Sequence, residues 1–143
     1  MQFRSERDQQ LASKVISQMI DLVDSLLQRM EAVQDEADLT GSDGGRLLLD
    51  AVCMQYLALG EVLKQLDKLT GFTLQDQVPY QDWKGIIGFW DVLAHQYFNI
   101  DPRQVLSITR HSLPSLQDSL KKILATLISS GSASINHQHE TNF

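Results

Sequence analysis

The stretch 82–98 reads DWKGIIGFWDVLAHQYF. It places two Trp, two Phe, a Tyr, a His and two Asp within seventeen residues. Its apolar positions recur with the spacing of one face of an α-helix, at 86, 89, 90, 93 and 97. This pattern predicts a helix over about 80–98 that turns one face toward the core and carries the functional residues.

Two polar residues of this stretch share a neighbouring stripe of the helix. Asp91 and His95 are four residues apart, which makes their side chains neighbours on an α-helix. The Asp91 carboxylate is expected to orient the His95 imidazole and to favour its protonated form. A lone histidine on a helix is more often structural than functional. The pairing with Asp91 nevertheless makes His95 a candidate site residue.

The length and composition favour one folded helical domain. The chain has 143 residues, of which 43% are hydrophobic, with only 3 Pro and 8 Gly. Such a chain can bury a core without disulfides or metal. The formal charge is −6, from 12 Lys and Arg against 18 Asp and Glu. A broad basic surface for nucleic acid is therefore excluded, and any RNA contact is expected to be local.

The cysteine content and the N-terminus indicate a cytoplasmic protein. Cys53 is the single cysteine and cannot form an internal disulfide, and its apolar neighbours predict a buried, unreactive thiol. The first residues lack the apolar core of a signal peptide, and no run approaches the ~18 apolar residues of a membrane span. We therefore expect a soluble chain that does not contact membranes.

The whole sequence predicts an all-α, up-and-down bundle of about five helices with no strand. Helices are expected over about 6–36, 45–69, 80–98, 102–111 and from Pro114 to about 130. Gly60 lies inside the second helix and predicts a close contact there, because glycine costs about 1 kcal/mol relative to alanine. Gly131 is expected to end the last helix, which gives a domain at 1–130 and a disordered tail at 131–143.

The string DWxxIIGFxDxLAHxYF resembles the HEPN proteins of the HepT type, small all-helical toxins once filed as a domain of unknown function. Their signature is an Arg, four residues, a His, any residue, and a Tyr. His95 and Tyr97 match the last two positions, whereas Trp90 stands where the family has Arg. The resemblance runs over about 5–128 and includes Leu59-Gly60-Glu61 and Leu113-Pro114-Ser115-Leu116.

The resemblance implies a toxin that cleaves RNA without metal or cofactor, in a cleft where two copies form a homodimer through the motif region. His95 would be the general acid or base, Asp91 would orient it, and position 90 would supply the cation. The implied partner is a minimal nucleotidyltransferase (MNT) antitoxin, which would transfer AMP from ATP onto Tyr97 and so fill the RNA cleft with a bulky anion. From spacing alone, Tyr97 fits an aromatic anchor equally well.

Trp90 leaves the activity of this copy open. Indole has one N–H donor and no charge, so the family mechanism would be impaired by roughly 100- to 1000-fold. The Trp is either natural, in a chain that only binds RNA or its partner, or an inactivating change in an otherwise intact motif. It also fits ordinary core, because position 90 lies on the apolar stripe of the helix. Positions 90 and 95 point about 140° apart, so an Arg at 90 would have to reach around the helix or act across the dimer. Two alternatives remain, a non-catalytic helical subunit that presents substrate to a nucleotidyltransferase and a purely structural bundle.

Overall fold

Helices form in this chain where apolar residues keep a 3.6-residue spacing and a polar residue caps the start. The computed structural model describes residue 3 and residues 5–77, 83–95 and 99–140, with side chains for all of these except 77, 84 and 130–140. This described part is all-α and contains no strand. Its helices are α1 (Glu6–Met30), α2 (Ala37–Thr40), α3 (Asp43–Leu69), α4 (Leu74–Gln77), α5 (Trp83–His95), α6 (Pro102–Ser107) and α7 (Leu113–Glu140).

Two helix starts are capped as the sequence predicts. Ser5 Oγ accepts the N–H of Asp8 at 3.2 Å, which fixes the first turn of α1. The Asp101 carboxylate accepts the N–H of Arg103 at 2.9 Å, and Pro102 occupies the first position of α6. Each cap satisfies a backbone donor that the first turn would otherwise leave without a partner.

The core lies between the apolar faces of α1, α3 and α7. α1 and α7 are antiparallel, since the Gln9 side chain donates to the carbonyl of Leu127 and the Gln117 side chain donates to Asp24. α5 packs against α3, which places the functional stretch beside the second long helix. In the described part, five helices are longer than four residues, and the predicted all-α bundle is confirmed.

α1 ends at Met30, so the prediction that it continues to about 36 is wrong. The Asp38 carboxylate accepts the N–H of Gln34 at 2.8 Å, and this local bond competes with the helical one. Arg110 donates to the carbonyls of Val33 and Gln34, which satisfies acceptors outside the helix. The chain then turns through α2 before α3 begins.

A π-helical segment, Ile108–Ser112, joins α6 to α7. Pro114 lacks the N–H that a regular helix would use at this point, which accounts for the wider turn before it. The segment places Thr109 Oγ1 2.5 Å from the Tyr56 hydroxyl. Burial raises the pKa of Tyr56 well above its usual value, despite this hydrogen bond. The sequence predicts a kink or a fresh start at Pro114, and the structure has a new α-helix that begins at Leu113.

α7 continues to Glu140, so the prediction that Gly131 ends it is wrong. One glycine costs about 1 kcal/mol in a helix interior, which does not stop a helix that is already formed. The domain boundary at 130 and the disordered tail over 131–143 stay predictions. The predicted ends of the functional helix, 80–82 and 96–98, lie outside the described residues.

Two features bear on the environment expected for the chain. Cys53 is 2% exposed, and its burial, together with the nearby charge of Asp50, raises the pKa of the thiol to about 11. The predicted buried thiol is therefore confirmed, and almost none of it is thiolate at neutral pH.

Within the described ranges, no helix has the length and apolar character needed to cross a bilayer.

Candidate active site on helix α5

One face of α5 is buried against α3 and the opposite face is exposed. Trp90 and Leu93 of the predicted stripe are buried, and Ile86 and Phe89 are half-buried. Trp83, which the prediction did not include, is buried as well. The exposed face contains Asp91 and His95. The apolar stripe thus fixes the rotation of the helix, and this rotation decides which motif residues meet solvent.

Trp90 is a core residue, with 8% of its surface exposed. Its indole Nε1–H donates to the backbone carbonyl of Leu57 at 3.0 Å. The ring also lies directly on Gly60, where an added Cβ would be 1.5 Å from Trp90 Cδ1. The close contact predicted at Gly60 is therefore made by the indole, and any larger residue there would have to displace it.

Lys64 covers the outer side of the same ring. Its ammonium nitrogen lies 3.4 Å from the centroid of the Trp90 ring, a cation–π contact. Lys64 is one helical turn beyond Gly60 on α3, so both residues face the indole. Trp90 carries no charge, but the Lys64 ammonium of α3 contacts its ring.

His95 is exposed, and the main chain orients it. Its Nδ1 lies 2.8 Å from the carbonyl oxygen of Asp91, one turn earlier in α5. A carbonyl can only accept, so Nδ1 carries the proton in this contact and Nε2 is the nitrogen left to accept one. The sequence predicted an Asp91 contact with His95, but it assigned it to the carboxylate. The structure shows a contact to the backbone carbonyl, and an orienting role of the carboxylate stays a prediction.

Among the described motif residues, the structure separates Trp90 from Asp91 and His95. Trp90 points into the α3 interface, whereas Asp91 and His95 are on the exposed face of the helix. Tyr97, the predicted modification site, lies outside the described residues. The described residues include no group of three or more His, Cys, Asp or Glu side chains arranged to hold a metal ion.

Lys64 was not predicted from the sequence, because the candidate site residues were all taken from the stretch 82–98. The contact joins α3 to α5 across twenty-six residues of sequence, and helical periodicity carries no information about such pairs. Gly60 was the available signal. A glycine inside a long helix marks a close neighbour, and the residue one turn further on the same face contacts that neighbour too.

A comparison with models of protein families identifies the family of the chain. The family model described as Ribonuclease HepT-like matches residues 16–123, which is most of the chain and includes all of α3 and α5. The chain belongs to the HepT-like ribonuclease family. The matched range of this HepT-like chain includes the buried Trp90 and the exposed His95.

Two relatives of this HepT-like chain come from Methanocaldococcus jannaschii. A protein named "Putative RNase MJ0125" is 28% identical over 75 residues, covering 52% of this chain and 60% of that protein. A protein named "Putative RNase MJ1216" is 27% identical over 72 residues, covering 50% of this chain and 54% of that protein. The chain thus spans somewhat more than half the length of each relative. No solved structure matches it.

Proposed function

We propose that this HepT-like chain is the toxin of a HEPN/MNT toxin–antitoxin pair, a metal-independent endoribonuclease that acts in the cytoplasm. The observation that carries the proposal is the exposed His95, which lies inside the matched range 16–123 and stands where the signature that the sequence resembles has its histidine. Its Nδ1 is held by a backbone carbonyl, and its Nε2 is the nitrogen left to move a proton.

The proposed reaction is attack of a ribose 2′-hydroxyl on the adjacent phosphate. The 2′-oxygen loses its proton to a base and forms a bond to phosphorus, and the 5′-oxygen leaves and takes up a proton. His95 would act as base or acid in these transfers, positioned by the backbone at Asp91. A cation near the phosphate would stabilise the negative charge that develops on its oxygens.

Trp90 is the reason why we propose that this copy is catalytically impaired. Indole carries no charge, and its single N–H already donates to the carbonyl of Leu57. It therefore has nothing to offer a phosphate. The same packing favours a second candidate function, a helical subunit that binds its partner or RNA without cleaving it.

We propose that the site is completed by a second copy of the chain. The free face of α5 exposes the aliphatic side chain of Val92, which is 36% exposed. An added Cβ at Gly88, on the same face, would meet no atom within 4 Å. A second α5 could pack closely there, and it would bring two copies of His95 to one cleft.

The His95 proposal predicts a loss of RNA cleavage in His95→Ala. The measurement is single-turnover cleavage of total RNA in the Trp90→Arg background, where the missing cation is restored. Removing a general acid or base should lower the rate by about 100-fold or more. His111→Ala is the matched control, because His111 is also an exposed histidine but lies on the π-helical segment. Equal rates for the two variants would rule out His95 as the proton-transfer group.

The partner proposal predicts AMP on Tyr97. The chain is co-expressed with a minimal nucleotidyltransferase encoded beside it, and native mass spectrometry is run on the product. A dimer of the 16.1 kDa chain carrying added AMP is expected, with Tyr97→Phe as the unmodified control. A monomer would contradict the homodimer, and an unmodified wild-type chain would contradict the antitoxin mechanism.

A further inference from the structure

The cation over Trp90 has no ion-pair partner in the described part of the chain. Lys64 is exposed to solvent, and its ammonium is held against the indole face rather than against a carboxylate. A lysine side chain in water samples many positions, and contact with an aromatic face restricts it. Lys64 therefore presents a positioned charge beside the α3–α5 interface, with its N–H donors still open to an anion.

Phe72 is the second unusual residue in this region. It lies three residues after the end of α3, and it is 74% exposed. Its φ is +64°, in the left-handed region that costs free energy for a residue with a Cβ. Asn or Gly would fit this backbone better, and the exposed ring contributes little to the core. Packing therefore does not explain why a phenylalanine is present here.

Lys64 and Phe72 line one open groove of about 100 Å³, which we call the Lys64 groove. Trp83 and Ile87 of α5 form its opposite side, and Asp67 also lines it. The Asp67 carboxylate accepts the N–H of Leu74 at the start of α4, so part of its charge is already compensated. The residues that line the groove therefore include the lysine held against Trp90 and the exposed Phe72.

Ile87, which lines the groove, is on the side of α5 that carries His95. Ile87, Asp91 and His95 are at successive four-residue steps and lie on one side of the helix. His95 is about 12 Å beyond Ile87 along the helix axis, at 1.5 Å per residue. An extended chain in the groove that continues along α5 would reach the imidazole. The Asp91 carboxylate lies on this path and limits affinity.

We propose that the Lys64 groove binds single-stranded RNA, with the Lys64 ammonium on a backbone phosphate and one base stacked on Phe72. Stacking and phosphate contacts are the two interactions by which proteins hold single strands without reading sequence. The proposal rests on the proposed ribonuclease function and names its substrate as unpaired RNA. It also explains how an acidic protein can hold RNA locally, by one cation and one ring.

Fluorescence anisotropy with a fluorescein-labelled oligouridine tests the groove, in the His95→Ala protein so that the RNA stays intact. Lys64→Met should weaken binding and lower the slope of log affinity against log salt by about 0.7, the value for one phosphate contact on a single strand. Lys121→Met is the matched control, since Lys121 is an exposed lysine on α7, and it should leave both quantities unchanged.

Phe72→Asn tests the ring separately. Loss of one stacked base should weaken oligouridine binding by at least about fivefold. The same variant should melt at a higher temperature, because Asn adopts the left-handed backbone more readily than Phe. A ring with only a structural role would give the opposite result, a lower melting temperature with unchanged binding.

The binding assay and the cleavage assay test the groove proposal and the nuclease proposal separately. If the parent does not bind oligouridine, or if Lys64→Met and Phe72→Asn bind it as tightly as the parent, the groove proposal is overturned. Equal affinity for an RNA duplex would also overturn it. His95-dependent cleavage in the Trp90→Arg protein would stand in each of these cases, since that assay reads the histidine and not the groove.

Discussion

Trp90→Arg is expected to cleave RNA about 100- to 1000-fold faster than the chain as it stands. This is the range of rate lost when one group that stabilises the transition state is removed from an active site. The substitution would return a charge to the family's Arg position, five residues before His95. Guanidinium is also the group best matched to phosphate oxygens, because it can donate two parallel hydrogen bonds.

Position 90 is buried, but it is close enough to the surface for the head group of an arginine to reach solvent. The Lys64 ammonium is 3.4 Å from the Trp90 ring centroid, and Lys64 is exposed, so solvent begins about one ring thickness away. An arginine can keep its methylene stem where the indole lies and extend its head to that surface. The new charge would be near Lys64, and the repulsion should make the folded state less stable.

Single-turnover cleavage of RNA by the two proteins measures the effect, at a temperature where circular dichroism shows both folded. Trp90→Met is the control, because methionine fills part of the same space and carries no charge. Equal rates for Trp90→Arg and Trp90→Met would show that the lost indole, not the added cation, causes any change. No gain in either protein would favour the subunit that binds without cleavage.

The sequence predicted the fold where local rules are sufficient. The Ser5 and Asp101 caps and the buried stripe of α5 follow from residue type and spacing, and all are present. A distant contact contributes to one of the errors, the end of α1. Arg110 holds carbonyls just beyond α1 from across the fold, and no pattern within the first forty residues could show this.

The sequence predicted on which face of α5 the site residues lie, but not which atoms they contact. The apolar stripe placed Trp90 inside and His95 outside, because five helical steps separate them by about 140°. The same spacing brought Asp91 within reach of His95, but it did not distinguish a carboxylate from a backbone carbonyl. Both contacts are available at a four-residue step, and only side-chain rotamers decide between them.

Trp90→Ala is expected to lower the free energy of unfolding by about 3–5 kcal/mol, the usual cost of truncating a buried aromatic residue. Three contacts of Trp90 would be lost together: the packing on Gly60, the hydrogen bond to Leu57 and the cation–π contact with Lys64. Urea unfolding followed by circular dichroism measures the change. A loss below about 1 kcal/mol would show that the indole does not pack as described.

Gly60 gives the sharper form of this prediction. Gly60→Ala alone should destabilise by about 1–3 kcal/mol, because its methyl would lie 1.5 Å from Trp90 Cδ1 and must push the ring aside. Combined with Trp90→Ala, the same methyl enters vacated space, so the double variant should be more stable than the sum of the two losses predicts. Gly44→Ala is the control in α3, where the added Cβ meets nothing within 4 Å. It should add independently, and strict additivity for Gly60→Ala as well would mean that the glycine is not there to receive the indole.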